Sequence, residues 1–438
     1  MKSKKEIRKE IRRLIKAFFS SRLSGDKFIP GETLVQYAGS VYDDKEIISM
    51  VDSLLDGWLG LGKKAREFEK ELAKYIGMKK AVLTNSGSSA SFLAMASLKS
   101  PLFPDRIKEG MEMITVACTF PTTLNPIIQF NLVPVFVDVE LGTYNLNPDN
   151  LEAAFSSKTR AIVLPHTLGN PNDMESIMSF AKKHHLFVIE DNCDALGSEF
   201  NDKKTGSFGI MSTFSFHPAH HITTGQGGAV LMNDERLEKP LRSLRDWGRA
   251  CYCYGDQKLS LGACGKRFDF KVNGVPYDHR YMWVEIGYNL KPIEVQAAMG
   301  VEQLKKFPRF KKRREKNFKT LFKFLSQYED FFILPRSHSK AVPCWFSFPI
   351  TLRENVPFSK QEIVRFLEGR KIQTRPVFAG NILRHAPYKN IRCRVAGDLK
   401  NSDYILANTF FVGLYPGIDD KRMDYMMSVF TDFFGRLK

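Results

Sequence analysis

No apolar run in this chain is long enough to cross a membrane, and the sequence holds neither an internal repeat nor a low-complexity tract. These absences exclude a helical membrane protein, a solenoid and a disordered linker. No sustained apolar core follows the basic opening Lys2-Ser3-Lys4-Lys5-Glu6, so a secretory signal is not expected and a cytoplasmic address is. Acid is in short supply: 48 Asp and Glu stand against 65 Lys and Arg, a formal net charge of +17 that draws anions to the surface. Nucleic acid is not the expected anion, because the basic residues are spread along the chain and build no recognisable reading module. Nothing marks the 7 cysteines for an oxidising compartment, and a Cys-x-Cys pair is poorly placed for a disulfide.

What is present fits a globular protein. With 438 residues, 43% of them hydrophobic, the chain can bury one large domain and a smaller companion. Short apolar runs alternate with helix-length segments from about residue 60 onward, as a mainly parallel sheet wrapped in helices requires. The runs Ala81–Thr84, Met113–Val116, Val133–Val137, Ala161–Leu164, Leu186–Ile189 and Gly228–Met232 read as strands, with helices over Ser88–Leu98 and Met174–His185. Past residue 305 the text changes to a basic helix, Lys305–Gln327, then the apolar run Trp345–Ile350, then helices near Gln361–Glu368 and Asp420–Phe434, the order of a small α+β domain. Ile7, Ile11, Leu14, Ile15, Phe18 and Phe19 recur at helical spacing among lysines and arginines, which predicts a basic amphipathic N-terminal helix packed on its own protein or on a dimer mate. The expected division is 1–30, 31–305 and 306–438.

Several segments carry chemistry. Asn85-Ser86-Gly87-Ser88-Ser89-Ala90-Ser91 follows a strand and opens a helix, leaving backbone N–H groups and the positive end of a helix dipole free for a phosphate. Glu190-Asp191 closes an apolar strand and so puts a carboxylate at the carboxyl edge of the sheet, where α/β proteins bind ligands. Cys193, Cys251, Cys253 and Cys264 form a quartet whose four thiolates suit a two-iron two-sulfur cluster or a structural zinc. Cys118, Cys344 and Cys393 read as small buried hydrophobes. Ser215-Phe216-His217-Pro218-Ala219-His220-His221-Ile222-Thr223-Thr224-Gly225-Gln226-Gly227-Gly228 holds three histidines and no lysine.

This last segment closely resembles the cofactor-lysine motif of the nucleotide-sugar aminotransferases that use pyridoxal phosphate, with His220 where those proteins carry the lysine. Histidine cannot tether the aldehyde, yet it moves protons near neutral pH. Together with the cysteine quartet, the substitution resembles the CDP-4-keto-6-deoxyglucose 3-dehydrase family, within the DegT/DnrJ/EryC1/StrS group. The last cysteine spacing is longer than in that family's pattern. The resemblance implies the fold type I architecture of pyridoxal enzymes, α/β, with a mainly parallel seven-stranded sheet and a small C-terminal α+β domain. It implies Gly87, Ser88 and Ser215 as phosphate ligands, Phe120 stacked on the cofactor ring, and Asp191 at the pyridine nitrogen. Asn289 would reach the phosphate of a neighbouring subunit in a homodimer, and a [2Fe-2S] cluster would sit on Cys193, Cys251, Cys253 and Cys264. His220 would be the base that works on untethered pyridoxamine 5'-phosphate. Electrons would come from an NADH-dependent flavin/iron-sulfur reductase or a ferredoxin, and the product would be a 3,6-dideoxy sugar precursor for surface polysaccharide. His166 and His217 are expected to be structural, while Arg375 faces the sugar nucleotide or plain solvent. Two further readings remain: a cluster-free GDP- or dTDP-sugar 3-dehydratase, and a catalytically silent binding protein of the same fold.

Overall fold

The computed structural model describes residues 2–22, 27–251 and 267–437. Cys253 and Cys264 lie outside the described residues. Helix α1 (Lys4–Arg22) leans on α2 (Asp44–Leu55) through Arg8–Asp56 and Arg12–Asp52 ion pairs, and α3 (Lys63–Ile76) follows. The buried carboxylate of Glu294 accepts from the backbone N–H groups of Gly62, Lys64 and Ala65, so it closes the start of α3, where orphan donors would otherwise stay unpaired.

Strands β1 (Lys80–Thr84), β2 (Glu112–Val116), β3 (Val133–Val137), β4 (Thr159–Pro165) and β5 (Phe187–Asp191) come next, and α4 (Gly87–Lys99) leaves the end of β1. A small hairpin, β6 (Glu199–Phe200) and β7 (Lys203–Lys204), separates them from β8 (Met211–Ser215) and β9 (Gly228–Met232). The main sheet has the order β1-β9-β8-β5-β4-β2-β3, with β9 antiparallel to both neighbours and every other pairing parallel. β2, β3 and β9 are buried along their whole length, as continuous apolar runs covered on both faces must be.

The rest of the chain gives β10 (Phe270–Val272), β11 (Val275–Tyr277), the long helix Glu294–Leu325, β12 (Phe332–Ile333), β13 (Ala341–Val342), β14 (Ser347–Leu352), β15 (Thr374–Arg375), β16 (Arg394–Ala396) and β17 (Thr409–Gly413). β12, β14, β17 and β15 make a second, antiparallel sheet. β16 returns to the large sheet beside β3, so that sheet has eight strands where seven were expected. Three residues beginning with an arginine carry no periodic signal, which is why this strand is silent in the sequence. β16 pairs with β3 only from Val135 onward, so Pro134 lies where β3 is still an edge and its missing N–H leaves no gap in the ladder. One buried cluster runs from Val116, Val137 and Leu164 of the large sheet to Phe348, Phe410 and Phe430, joining both sheets and the C-terminal helix. Among the described residues no helix is long and apolar enough to cross a membrane.

Candidate active site

The carboxyl ends of β4, β5 and β8 and the start of α4 open onto one pocket of about 480 Å³. Its walls include Ser86, Gly87, Ser88, Phe120, Asp191, Cys193, Ser215 and His220, so seven predicted positions converge there: Gly87, Ser88, Phe120, Asp191, Cys193, Ser215 and His220. Asn289 and Cys251 are not among the lining residues. Asn289 is exposed, next to Leu290, whose carbonyl accepts the Asn85 N–H at 2.8 Å and so ties this segment to the loop that precedes α4.

The floor of the pocket is built from backbone contact. Ser86 caps α4 by accepting the Ser89 N–H, which leaves the Gly87 and Ser88 N–H groups facing outward at the positive end of the helix. Gly87 abuts Ser215: a Cβ there would fall far inside contact distance of the Ser215 side chain. A Cβ at Gly228 would meet the Ser86 carbonyl in the same way, so both glycines are required by close approach rather than by φ. The result is a cradle of N–H groups and the hydroxyls of Ser88 and Ser215, suited to a phosphate.

Glu190 and Asp191 divide their work. Fully buried Glu190 accepts from the N–H groups of Gly206, Phe208 and Gly209 at 2.7–2.8 Å and from His166 Nε2 at 3.0 Å. His166, which also lines the pocket, takes the Asn172 N–H on Nδ1, so both ring nitrogens have partners. Asp191 turns the other way, into the pocket. Its Oδ2 accepts the Thr123 hydroxyl at 2.6 Å and its Oδ1 the Cys193 N–H at 3.2 Å, which fixes the carboxylate in one pose.

The loop between β8 and β9 carries the histidines. His220 Nδ1 lies 3.1 Å from Asp194 Oδ1, though off the line of a hydrogen bond, and its ring stands 5.7 Å from that of Phe346. Asp194 is buried and lines the same pocket; it lies three positions beyond Asp191, on the same loop out of β5, a spacing that could have singled it out. His217 was expected to be structural. It is exposed, faces the pocket 6.0 Å from His220 between ring centres, and accepts the Ala219 N–H on Nδ1. Burial, then the nearby His220, lowers its pKa. His221 points away and is buried: Nε2 donates to the Cys344 carbonyl at 2.8 Å, and burial followed by the charge of fully buried Arg314 holds its pKa well below the ordinary histidine value. Burial first, then Asp191 and Asp194, push the Cys193 thiol well up. Among the described residues no cluster of three or more His, Cys, Asp or Glu is placed to hold a metal ion. No local signal marks Tyr37, Phe346, Phe378 or Phe411, which line the pocket from distant segments.

A cradle of N–H groups, a pocket-facing carboxylate and a histidine loop occur here in one frame, and residues 41–431 match the DegT/DnrJ/EryC1/StrS aminotransferase family. The chain belongs to that family. It is 43% identical to the lipopolysaccharide biosynthesis protein RfbH of Salmonella typhimurium over 98% of both chains. It is 45% identical to the dTDP-4-dehydro-2,6-dideoxy-D-glucose 3-dehydratase of Saccharopolyspora spinosa, over 93% of this chain and 88% of that one. Among solved structures, GDP-4-keto-6-deoxymannose-3-dehydratase with bound GDP-perosamine superposes with a TM-score of 0.80 at 30% identity, over 90% of this chain and 99% of that one. The E. coli GDP-4-keto-6-deoxy-D-mannose-3-dehydratase with bound hydrated PLP gives 0.79 at 31% identity, over 90% and 98%. These likenesses fix the fold as that of the α/β aminotransferases and dehydratases of this family, with a mostly parallel central sheet.

Proposed function

We propose that the chain is a C3 dehydratase of a nucleotide-linked 4-keto-6-deoxyhexose, CDP-linked by preference, dependent on pyridoxamine or pyridoxal phosphate and acting in 3,6-dideoxyhexose formation for lipopolysaccharide O-antigen. The observation that carries this reading is His220: it lines a pocket with an N–H cradle suited to a phosphate and an inward-facing carboxylate, and among the described residues no lysine lines that pocket. An aminotransferase needs an amine there to tether its aldehyde. Relatives that are 3-dehydratases of dTDP- and GDP-linked sugars support the reaction class.

The residues fit the cofactor. Gly87, Ser88 and Ser215 would hold its phosphate, Asp191 the proton on its ring nitrogen, and Phe120, half-exposed at the pocket wall, one face of the ring. When bound, pyridoxamine phosphate supplies an amine for the sugar ketone and a conjugated ring that spreads negative charge. His220 acts on protons. With Asp194 beside Nδ1, Nε2 is the nitrogen left to carry a proton, and it would serve as base toward the bound cofactor and as acid toward the C3 hydroxyl. Asn289 would complete the phosphate site of a second subunit, making the working enzyme a homodimer. The same reading divides the chain into 1–30, 31–305 and 306–438 and places the protein in the cytoplasm.

Deoxygenation also needs reducing equivalents, which a [2Fe-2S] cluster held by Cys193, Cys251, Cys253 and Cys264 would supply, fed by an NADH-dependent flavin/iron-sulfur reductase or a ferredoxin. The support is the position of Cys193, on the pocket wall two residues from Asp191. Iron is bound by the thiolate, so uptake of the cluster at Cys193 would depend on pH. Anaerobically purified protein should contain about two iron and two sulfide per chain and show a paramagnetic signal on reduction. A colourless, zinc-loaded protein would remove the cluster, and turnover of GDP- or dTDP-linked substrate in preference to the CDP sugar would reassign the nucleotide.

A further inference from the structure

Among the described residues that line the pocket, Arg375 is the one side chain with a permanent positive charge. Both lining carboxylates, Asp191 and Asp194, are buried, and neither pairs with it. Among the described residues no carboxylate pairs with it at all; its polar contact is one bond from Nη1 to the Thr374 carbonyl at 2.7 Å. An exposed arginine usually trades its charge with a neighbouring acid or lies loose in solvent. This one does neither.

The guanidinium is held in place by stacking. It lies 4.6 Å from the centre of the Tyr37 ring, which in turn packs 5.8 Å from that of Phe411. Arg375 and Phe411 are direct partners across β15 and β17, and the strand segment is anchored by Val35, which exchanges backbone hydrogen bonds with Lys371 and Gln373. Beyond the arginine, Ala379 donates to the Thr119 carbonyl and Phe378 meets Phe120 edge-on at 6.2 Å, so the segment closes onto the wall that carries Phe120. A planar cation fixed on an aromatic face, with most of its five donors free, is preorganised for bidentate phosphate binding, because much of the ordering cost is already met.

The pocket therefore has two anion seats of different character. The start of α4 with Ser88 and Ser215 offers neutral donors to a monophosphate, and Arg375 offers a fixed charge on a separate element, β15. We propose that Arg375 binds the diphosphate of the sugar nucleotide. This rests on the nucleotide-sugar reading above. Arg375 thus selects a charged diphosphate linker over a neutral glycoside, whichever base is attached.

The test is calorimetric titration of CDP, CMP and cytidine into wild-type protein loaded with pyridoxamine phosphate, and into Arg375→Ala and Arg375→Lys. Loss of a charge-assisted bidentate contact should weaken CDP about 30-fold in Arg375→Ala and several-fold in Arg375→Lys, while cytidine and pyridoxamine phosphate bind within about twofold of wild type. In turnover assays KM for the nucleotide sugar should rise with kcat little changed. CDP affinity within twofold of wild type in Arg375→Ala, or an equal loss for cytidine, would overturn the assignment. Weakened pyridoxamine phosphate in place of weakened CDP would move Arg375 to the cofactor phosphate and overturn it too. Failure of wild-type protein to bind any of CDP, GDP or dTDP would overturn the nucleotide-sugar reading itself, and the proposal with it.

Discussion

Adjacent carboxylates at the end of β5 show how surroundings assign roles to like residues. Glu190, sealed from water, holds the Gly206–Gly209 turn by its backbone; Asp191, one position on, looks into the pocket. Glu190→Gln would set an amide NH₂ against an N–H donor in a dry site. We expect it to lower unfolding free energy by about 3 kcal/mol, read as a shift in denaturant midpoint at constant m value; a change below about 1 kcal/mol would mean that the turn is held by other contacts. His221 provides a pH signature. Its folded pKa is depressed, so it stays neutral in the native state while the unfolded chain takes up a proton as pH falls through about 6.5. Its contribution is therefore full above that pH and lost below it. Unfolding free energy should fall between pH 7 and 5, and less steeply in His221→Gln; identical slopes would contradict this.

At the scale of elements, the close approach of α4 to β8 makes the phosphate cradle. Gly87→Ala would drive the helix start away from Ser215, and we expect pyridoxamine phosphate affinity to fall at least tenfold with little change in melting temperature, since the strain is relieved by separating the two segments. Unchanged affinity in an equilibrium titration would show that the cradle tolerates widening. Apart from β8, whose sequence Met211-Ser212-Thr213-Phe214-Ser215 has no apolar run, the elements here were largely legible: β1 to β5 and β9 contain apolar runs of strand length bounded by turn residues, and the Ser86-Gly87 turn marks a helix start by residue type alone. β16 was not, being three residues long and stabilised only by its neighbour β3. Pairing of that kind is a long-range event without a local pattern.

Across the whole molecule, the site is an assembly of segments far apart in the chain. Asp191 could be read from sequence because it closes an apolar strand, while Ser215 and His220 came from the resemblance to the cofactor-lysine motif; Tyr37, Phe346, Phe378 and Phe411 could not be read, because they reach the pocket only through the second sheet and the buried cluster that joins it to the first. The exposure of His217 was not legible for a related reason, since it is set by the path of the β8–β9 loop and not by its neighbours in sequence. The central claim is that His220 handles protons for a cofactor the protein does not tether. Its most direct test is exchange of solvent deuterium into the methylene of bound pyridoxamine phosphate, followed by NMR in wild-type protein and in His220→Asn. The account predicts exchange in the wild type and a loss of roughly 10²- to 10⁴-fold in the variant with cofactor affinity retained; undiminished exchange in His220→Asn would contradict it.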